Sequence, residues 1–388
     1  LTSFAEESWA LQDLNPWHRK KRTQANLTPL TTACAGQSGF YGEIPMSDTD
    51  DLEPIDPPTA VEMYLQERNQ ELADASLQAH RYRLSHFIRW CEEVEHVDNL
   101  NELTGRKLHQ YRLWRRDDGD LSNVTVKTQM DTLRVFVRFC ERIDAVRDNL
   151  SESVVSPSLS PGENQRETML SADDAETLLD RLERFEYASF QHTLFTLLWH
   201  TGMRLGAIRG IDVNDYDPTQ SRVRLRHRPA EDTPLKNGSE GERLIALRQE
   251  ICDVLDDWIA HRRPDVTDAY GREPLFSTTQ GRASRTTIRE TVYRLTRPCE
   301  FTGDCPHGRE IADCEATNDA QKTASKCPSS VSPHDVRRGS ITYFLTRDVP
   351  EKVVSDRMNV GQQVLGKHYD QRTEEQKVEQ RRGYLTNI

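Results

Sequence analysis

The sequence lacks any long apolar run. No uninterrupted apolar segment approaches the roughly 18 residues that a membrane-spanning helix needs, and hydrophobic residues make up only 35% of the 388 residues. The sequence therefore predicts no membrane span. Its length is sufficient for two domains, each with its own core.

Cysteine is also scarce, and its distribution is uneven. Four of the eight cysteines fall between positions 299 and 327, which is unlike a disulfide framework and indicates a cytoplasmic protein. Four thiolates in one short insert predict a structural Zn²⁺ site. Unpaired or redox-active cysteines are the alternative, because the spacing is not that of paired C-x₂-C motifs. The candidate ligands are Cys299, Cys305, Cys314 and Cys327, with His307 as a possible substitute for one of them.

Lysine is rare among the basic residues. The chain has 51 Lys and Arg residues, of which ten are Lys, and its formal net charge is −12. This acidic, Arg-rich composition is typical of proteins from high-salt cytoplasms, and a GC-rich genome would explain it equally well. A nucleic-acid-binding protein with this charge must concentrate its arginines in a groove.

The first 56 residues show no sustained hydrophobic period. Met46 opens an acidic, Pro-rich stretch that is typical of a disordered segment. We therefore predict a disordered leader over 1–56, with Met46 as a possible native start. The basic run 19–22 could instead form a DNA-binding arm.

Residues 57–148 predict a domain of four helices. Leu84, Phe87, Ile88 and Cys91 fall at i, i+3, i+4 and i+7, which is the period of one apolar helix face. The opposite faces carry basic residues that could follow DNA phosphates, although a solvated face is the usual meaning of such charges. The candidate DNA-binding residues are His80, Arg81, Arg83, Lys127, Arg134 and Arg138.

A Ser/Pro/Gly-rich run over 149–165 predicts a linker, and a second domain follows over 166–388. In this domain, runs at 222–225 and 243–247 flank a polar turn and predict a β-hairpin. Most of the remaining pattern predicts helices, at 248–262, 284–297, 334–346, 350–357, 361–369 and 373–383.

Three residues of the second domain suit the cleavage of a phosphodiester: His334, Arg337 and Tyr369, which lies near the end of the chain. Arg204, just past an apolar helix, and Lys236, in the hairpin turn, are further basic residues of this domain. His334 and Arg337 stand at i and i+3 and project from one helix face. Guanidinium groups bind non-bridging oxygens, and the other groups can supply a nucleophile and move protons.

The motifs TGMRLGAIRGID, PLKNGSEGERLIAL and PHDVRRGS, followed by Tyr369, resemble the tyrosine recombinase, or phage integrase, family. The resemblance covers roughly 57–388 and looks most like the halophilic archaeal branch. It implies a mainly α fold with an N-terminal four-helix DNA-binding domain and an α-rich catalytic domain. It also implies roles: Arg204 and Arg337 bind the scissile phosphate, Lys236 is the general acid, and Tyr369 is the nucleophile. His334 assists proton transfer from the tyrosine or orients the phosphate.

The resemblance further implies double-stranded DNA with paired recombination sites as the partner. The protein would form a homotetramer on DNA and be a monomer or dimer without it, and catalysis would need no cofactor. A chromosome or plasmid dimer resolvase, a topoisomerase-like enzyme and a non-catalytic DNA-binding relative are the alternatives. Tyr384 is a rival nucleophile.

Two positions depart from the family pattern. Val360 stands nine residues before Tyr369, where the family commonly has His or Trp. Ala207 stands where an acidic residue often supports the first Arg. The phosphate hydrogen bond made at position 360 must therefore come from another residue or be missing.

Overall fold

The computed structural model describes residues 52–160, 162–163, 168–318, 322–368 and 372–385. The chain forms two compact units, Leu1–Ser158 and Leu159–Ile388, which we call the N-terminal and C-terminal units. Most of the predicted disordered leader, including Met46 and the basic run, lies outside the described residues.

The N-terminal unit is helical over its described residues. Its helices are α1 (Pro57–Arg68), α2 (Asp74–Trp90), α3 (Gly105–Asp118) and α4 (Asn123–Arg142). Side-chain caps fix three of the helix starts: Asp56, Thr104 and Ser122 each accept a hydrogen bond from the backbone N–H three residues later. The short 3₁₀ segment Leu150–Ser153 closes the unit.

Apolar side chains from all four helices form one core. Tyr64, Phe87, Tyr111 and Phe136 are each at most 1% exposed, and their rings contact one another mainly edge to face. The predicted stripe of α2 faces this core, with Leu84, Phe87, Ile88 and Cys91 all buried. The periodicity therefore identified the buried face correctly.

The C-terminal unit is also mainly helical. Its first five helices are α5 (Ala172–Phe185), α6 (Phe190–Thr201), the short α7 (Leu205–Arg209), α8 (Gln249–Asp257) and α9 (Arg285–Leu295). Two single turns follow, α10 (Pro298–Phe301) and α11 (Glu315–Asn318). The last helices are α12 (Pro333–Thr346), α13 (Glu351–Met358), α14 (Gln362–His368) and α15 (Glu374–Leu385).

Two small antiparallel sheets accompany these helices. The first has the order β1 (Tyr216–Asp217), β2 (Arg222–Leu225) and β3 (Arg243–Ala246), with Val223 opposite Ile245. The second pairs β4 (Ser277–Thr278) with β5 (Gly281–Arg282). The residues between β2 and β3 contain a turn at Lys236 and the 3₁₀ segment Gly238–Gly241. The predicted hairpin and the mainly α fold are confirmed.

Helices α6 and α12 lie at the centre of the C-terminal unit. Nine of the twelve residues of α6 are buried, as are ten of the fourteen of α12. A capping box begins α12: the Ser332 side chain accepts from Asp335 N–H, and the Asp335 side chain accepts from Ser332 N–H. The position of α12 is therefore fixed by its local sequence and by its packing on α6.

A network of largely buried ion pairs joins β5 to residues that flank the first sheet. Arg282 pairs with Asp212 and Asp268, while Arg228 pairs with Asp215 at 2.7 Å. These side chains are at most 18% exposed.

The helices of the described residues include none with the length and hydropathy of a membrane span.

Candidate active site

Arg204 lies at the junction between α6 and α7. Helix α6 ends at Gly202, whose φ of 56° suits glycine, and a Cβ there would lie 2.6 Å from Met358 Sδ. Arg204 follows as the N-cap of α7 and is half-buried. Its Nη1 donates to the carbonyl oxygen of Asn359 at 2.8 Å. The turn thus fixes both the backbone and the guanidinium of Arg204.

Arg337 is brought to the same junction by α12. It is only 1% exposed, and its Nη1 donates to the carbonyl oxygen of Gly202, two residues before Arg204. The neighbouring Arg338 instead pairs with Asp335 and donates to the carbonyl oxygen of Thr168. The second of the two adjacent arginines is therefore structural.

His334 lies one helical turn before Arg337 on α12. Burial lowers the pKa of His334 below its ordinary value, and the nearby Arg338, Arg337 and Arg204 guanidiniums lower it further, against the opposing effect of Asp335. The imidazole is therefore neutral at pH 7, and a neutral imidazole can accept a proton.

Arg243 on β3 belongs to the same group of cations, although the sequence analysis did not identify it. Burial lowers the pKa of Arg243 to about 10, and Arg337, Arg204 and Arg357 contribute to the shift. Its Nε donates to the carbonyl oxygen of Arg357 at 2.8 Å and its Nη1 to that of Gly241 at 2.9 Å.

We call Arg204, Arg243, Arg337 and His334 the cationic site. The hydrogen bonds just described join its arginines to main-chain carbonyls, which have no net charge. Burial is the largest cause of the lowered pKa of Arg243, and the positive charges of Arg337, Arg204 and Arg357 lower it further. An anion such as a phosphate would offset these neighbouring positive charges.

Lys236 is exposed in the turn between β2 and β3. The next residue, Asn237, donates from its Nδ2 to Asn359 Oδ1 at 2.9 Å. The structure thus joins the turn that carries Lys236 to the residue whose carbonyl holds Arg204.

The predicted nucleophile Tyr369 lies outside the described residues, directly after α14. The side chain of its rival Tyr384 also lies outside the described side chains. The assignment of the nucleophile stays a prediction.

The two departures from the family pattern both have apolar surroundings. Val360 is 4% exposed and belongs to a cluster with Ile341, Leu345 and Met358. Ala207 is 8% exposed in the main core. Asn359, next to Val360, provides the carbonyl that supports Arg204 in place of an acidic residue at position 207.

The predicted zinc site is not supported. Cys299, Cys305, Cys314 and Cys327 are free thiols, and within the described residues no group of three or more His, Cys, Asp or Glu could hold a metal ion. His307 Nε2 contacts Ser329 Oγ at 3.1 Å. Cys327 is buried, consistent with cysteine acting as a small apolar residue.

The predicted DNA-binding residues of the N-terminal unit lie on α2 and α4. Several also make contacts within the unit: His80 bonds Tyr64, Arg83 bonds Thr132, and Arg81 pairs with Glu62. Asp131 pairs with both Lys127 and Arg134, each at 3.0 Å, and Arg138 is exposed. These contacts do not test DNA binding, which stays a prediction.

Sequence reasoning missed Arg243 and Asn359. Side chains alternate between the two faces of β3, so Arg243 and Ile245 lie on the same face, and Ile245 is buried. This alternation could have identified Arg243 as an inward-facing arginine. Asn359 has a φ of 49° after α13, and asparagine is a common residue at such a helix end. The partners of both residues are too distant in sequence to be inferred locally.

Sequence comparisons identify both units. The model of the phage integrase family matches residues 168–373. The model of the phage integrase N-terminal SAM-like domain matches residues 62–143. A search of curated proteins finds no match.

Solved structures with the same fold include two integrases bound to DNA. The Tn1549 transposon integrase in complex with a circular intermediate DNA is 14% identical, with a TM-score of 0.59 over 84% of this chain and 99% of that one. The lambda integrase tetramer bound to a Holliday junction is 13% identical, with a TM-score of 0.54 over 79% of this chain and 75% of that one.

A third structure matches only the N-terminal part of the chain. It is the N-terminal domain of a phage integrase/site-specific recombinase from Haloarcula marismortui, 39% identical over 27% of this chain and 99% of that one. Its TM-score of 0.26 supports no structural conclusion. The resemblance to a haloarchaeal branch and the halophilic origin stay predictions.

Proposed function

The chain belongs to the phage integrase family, and we propose that it is a site-specific DNA recombinase that cleaves and rejoins DNA through a 3′-phosphotyrosyl intermediate. The single observation that carries this proposal is the cationic site. Arg204 and Arg243 donate to the carbonyls of Asn359 and Arg357, two residues apart, and Arg337 donates to the carbonyl of Gly202, two residues before Arg204. His334 lies one helical turn before Arg337 on α12. Two guanidinium groups suit the non-bridging oxygens of a phosphodiester.

In the first step, the phenolic oxygen of Tyr369 attacks the scissile phosphorus. The phenol has a free pKa of about 10, so it must lose its proton to a base, and the neutral His334 is suited to accept it. Arg204 and Arg337 stabilise the charge that develops on the non-bridging oxygens. The P–O bond to the 5′-oxygen breaks as the P–O bond to tyrosine forms.

Lys236 supplies the proton for the leaving 5′-oxygen. An exposed ammonium on a turn can reach that atom, and protonation makes it a better leaving group. The phosphotyrosyl ester keeps the energy of the broken bond. Attack by a 5′-hydroxyl from the other DNA reverses the chemistry, so rejoining needs no metal ion and no nucleotide.

We further propose that the N-terminal unit binds double-stranded DNA through α2 and α4. Four protomers would act on two paired sites, with a monomer or dimer in the absence of DNA. The lambda integrase tetramer on a Holliday junction, which shares the fold, supports this assembly. Sedimentation with paired-site DNA would test it, because the expected mass is that of four chains.

A nicked suicide duplex tests the chemistry. Cleavage near the nick releases a short strand, so that the covalent protein–DNA adduct accumulates. Wild-type protein should form an adduct that Tyr369→Phe abolishes and that Tyr384→Phe, the matched control, leaves intact.

The other outcomes identify the alternatives. Binding without an adduct would contradict the proposal and indicate a non-catalytic DNA-binding relative. An adduct without exchange between paired sites would indicate a topoisomerase-like enzyme. An adduct that is lost in Tyr384→Phe and kept in Tyr369→Phe would identify Tyr384, rather than Tyr369, as the nucleophile.

A further inference from the structure

The C-terminal end of α13 contacts three separate parts of the C-terminal unit. The Arg357 carbonyl accepts from Arg243, and the Asn359 carbonyl accepts from Arg204, both at 2.8 Å. The Asn359 side chain accepts from Asn237 at 2.9 Å. The last carbonyls of a helix lack donors within the helix and have a partial negative charge, so they are suited to hold arginines.

The backbone conformation of Asn359 ends helix α13. Its left-handed conformation, with φ 49° and ψ 64°, ends α13, and asparagine tolerates this conformation well. The next residue, Val360, enters the apolar cluster with Ile341 and Leu345. Asn359 therefore contacts the hairpin turn through its side chain, while Arg357 contacts strand β3.

The Asn359 amide lies against both ends of the 3₁₀ segment that follows Lys236. Its Oδ1 accepts from Asn237 at the start of the segment. At the end of the segment, a Cβ built on Gly241 would lie 3.2 Å from Asn359 Nδ2. One amide side chain thus contacts both ends of the segment that follows Lys236, and Arg243 also holds the segment through the Gly241 carbonyl.

We propose that Asn359 is a positioning residue that holds the turn of Lys236 against the cationic site, so that the ammonium meets the leaving 5′-oxygen. This inference rests on the proposed function. The Asn359 carbonyl binds Arg204 and its side chain binds Asn237, so one residue sets the distance between the phosphate-binding guanidinium and the general acid.

A DNA substrate with sulfur in place of the bridging 5′-oxygen at the scissile phosphate distinguishes misplacement of the Lys236 ammonium from other effects on the rate of adduct formation. The 5′-oxygen needs a proton from Lys236 as its bond to phosphorus breaks, whereas sulfur leaves as a thiolate without one. A variant that misplaces Lys236 should therefore be slow on oxygen and nearly normal on sulfur.

The variants are Asn359→Gly, Asn237→Ala and the double variant. Glycine keeps the left-handed backbone and the carbonyl that holds Arg204, and it removes only the amide. In single-turnover adduct formation, we expect each variant to be about 10- to 100-fold slower on the oxygen substrate, a part of the effect of a general acid. We expect less than about 3-fold slowing on the sulfur substrate, where no proton is needed. The double variant should match the single ones, since both remove one hydrogen bond.

Asn149→Gly is the matched control. Asn149 has a φ of 60° in the N-terminal unit, so the same substitution is made in the same backbone conformation in the other unit. Its rates on both substrates should equal those of the wild type.

Three results would overturn the inference while leaving the proposed function intact: Asn359→Gly equal to the wild type on oxygen, equal slowing on both substrates, or additive effects in the double variant. If the wild type forms no adduct with either substrate, the proposed function itself fails. Asn237→Ala tests the same contact from the hairpin should Asn359→Gly unfold.

Discussion

Arg204 and Arg337 combine burial with rigid hydrogen bonds. Each donates one guanidinium N–H to a carbonyl at the end of a helix, so its planar group is oriented before any ligand binds. A lysine in either position would keep the charge and lose the fork that matches two phosphate oxygens.

We predict that Arg204→Lys and Arg337→Lys each slow adduct formation about 10²- to 10³-fold. Arg224→Lys, at an exposed position of β2, is the control and should react normally. Single-turnover cleavage of the nicked duplex measures the rates. Normal rates in the two site variants would contradict the role of the guanidiniums.

The environment of His334 predicts a pH dependence. Burial and the three arginines around it lower its pKa from the ordinary 6.5, so the imidazole stays neutral to more acidic pH than usual. Adduct formation should therefore persist below pH 6.5 and fall only as the pH passes through the lowered value, where the protonated ring can no longer accept a proton.

His334→Gln should react more slowly and lose this acidic limb, because glutamine does not titrate. The measurement is the adduct rate from pH 5 to 8 for both proteins. An acidic limb that is the same in both would assign the titration to another group.

The packing of α12 depends on a glycine at its centre. The segment before α5 contacts this helix: Leu170 N–H donates to the Asp335 carbonyl at 3.4 Å, and Arg338 donates to the Thr168 carbonyl. A Cβ at Gly339 would overlap the carbonyl of Leu170 and lie 3.1 Å from the Trp199 ring. The backbone carbonyl cannot move aside as a flexible side chain could.

We predict that Gly339→Ala lowers the free energy of unfolding by about 2–3 kcal/mol, through overpacking against backbone. Gly366→Ala is the matched control, because Gly366 lies in α14 and, apart from the helix's own backbone, no atom of the described residues lies within 4 Å of its Cβ position. The control should be neutral or slightly stabilising, since alanine favours helix. Thermal unfolding followed by circular dichroism measures both, and equal midpoints would contradict the prediction.

The sequence predicted the elements better than the contacts among them. Apolar spacing and capping residues act within a few positions, so α2, α12 and the hairpin could be inferred from local patterns. The contacts of Asn359 with Arg204 and Asn237 span 155 and 122 positions. No local pattern indicates such pairs. The predicted zinc site in the cysteine insert is not supported for a similar reason. The sequence gives the types of the candidate ligands, whereas a metal site also requires their geometry.

The whole chain has a net charge of −12 although it has 51 basic residues. DNA binding must therefore depend on locally concentrated arginines, as in the cationic site. Neutralising phosphates with such side chains releases counterions, which makes affinity fall linearly with salt on logarithmic axes.

We predict that affinity for duplex DNA falls roughly 10³-fold or more between 50 and 200 mM KCl, as expected for a protein with several phosphate contacts. Fluorescence anisotropy with a labelled duplex measures the slope. An affinity that does not change with salt would show that charge plays little part in binding.

The apolar surroundings of Val360 have a consequence for redesign. Restoring the usual family histidine there would place an imidazole among Ile341, Leu345 and Met358. We predict that Val360→His lowers the free energy of unfolding by about 1–3 kcal/mol and does not accelerate adduct formation, whereas Val360→Ile changes little. A consensus substitution would thus destabilise this protein at a position where it departs from the family pattern, and a faster Val360→His protein would contradict this view.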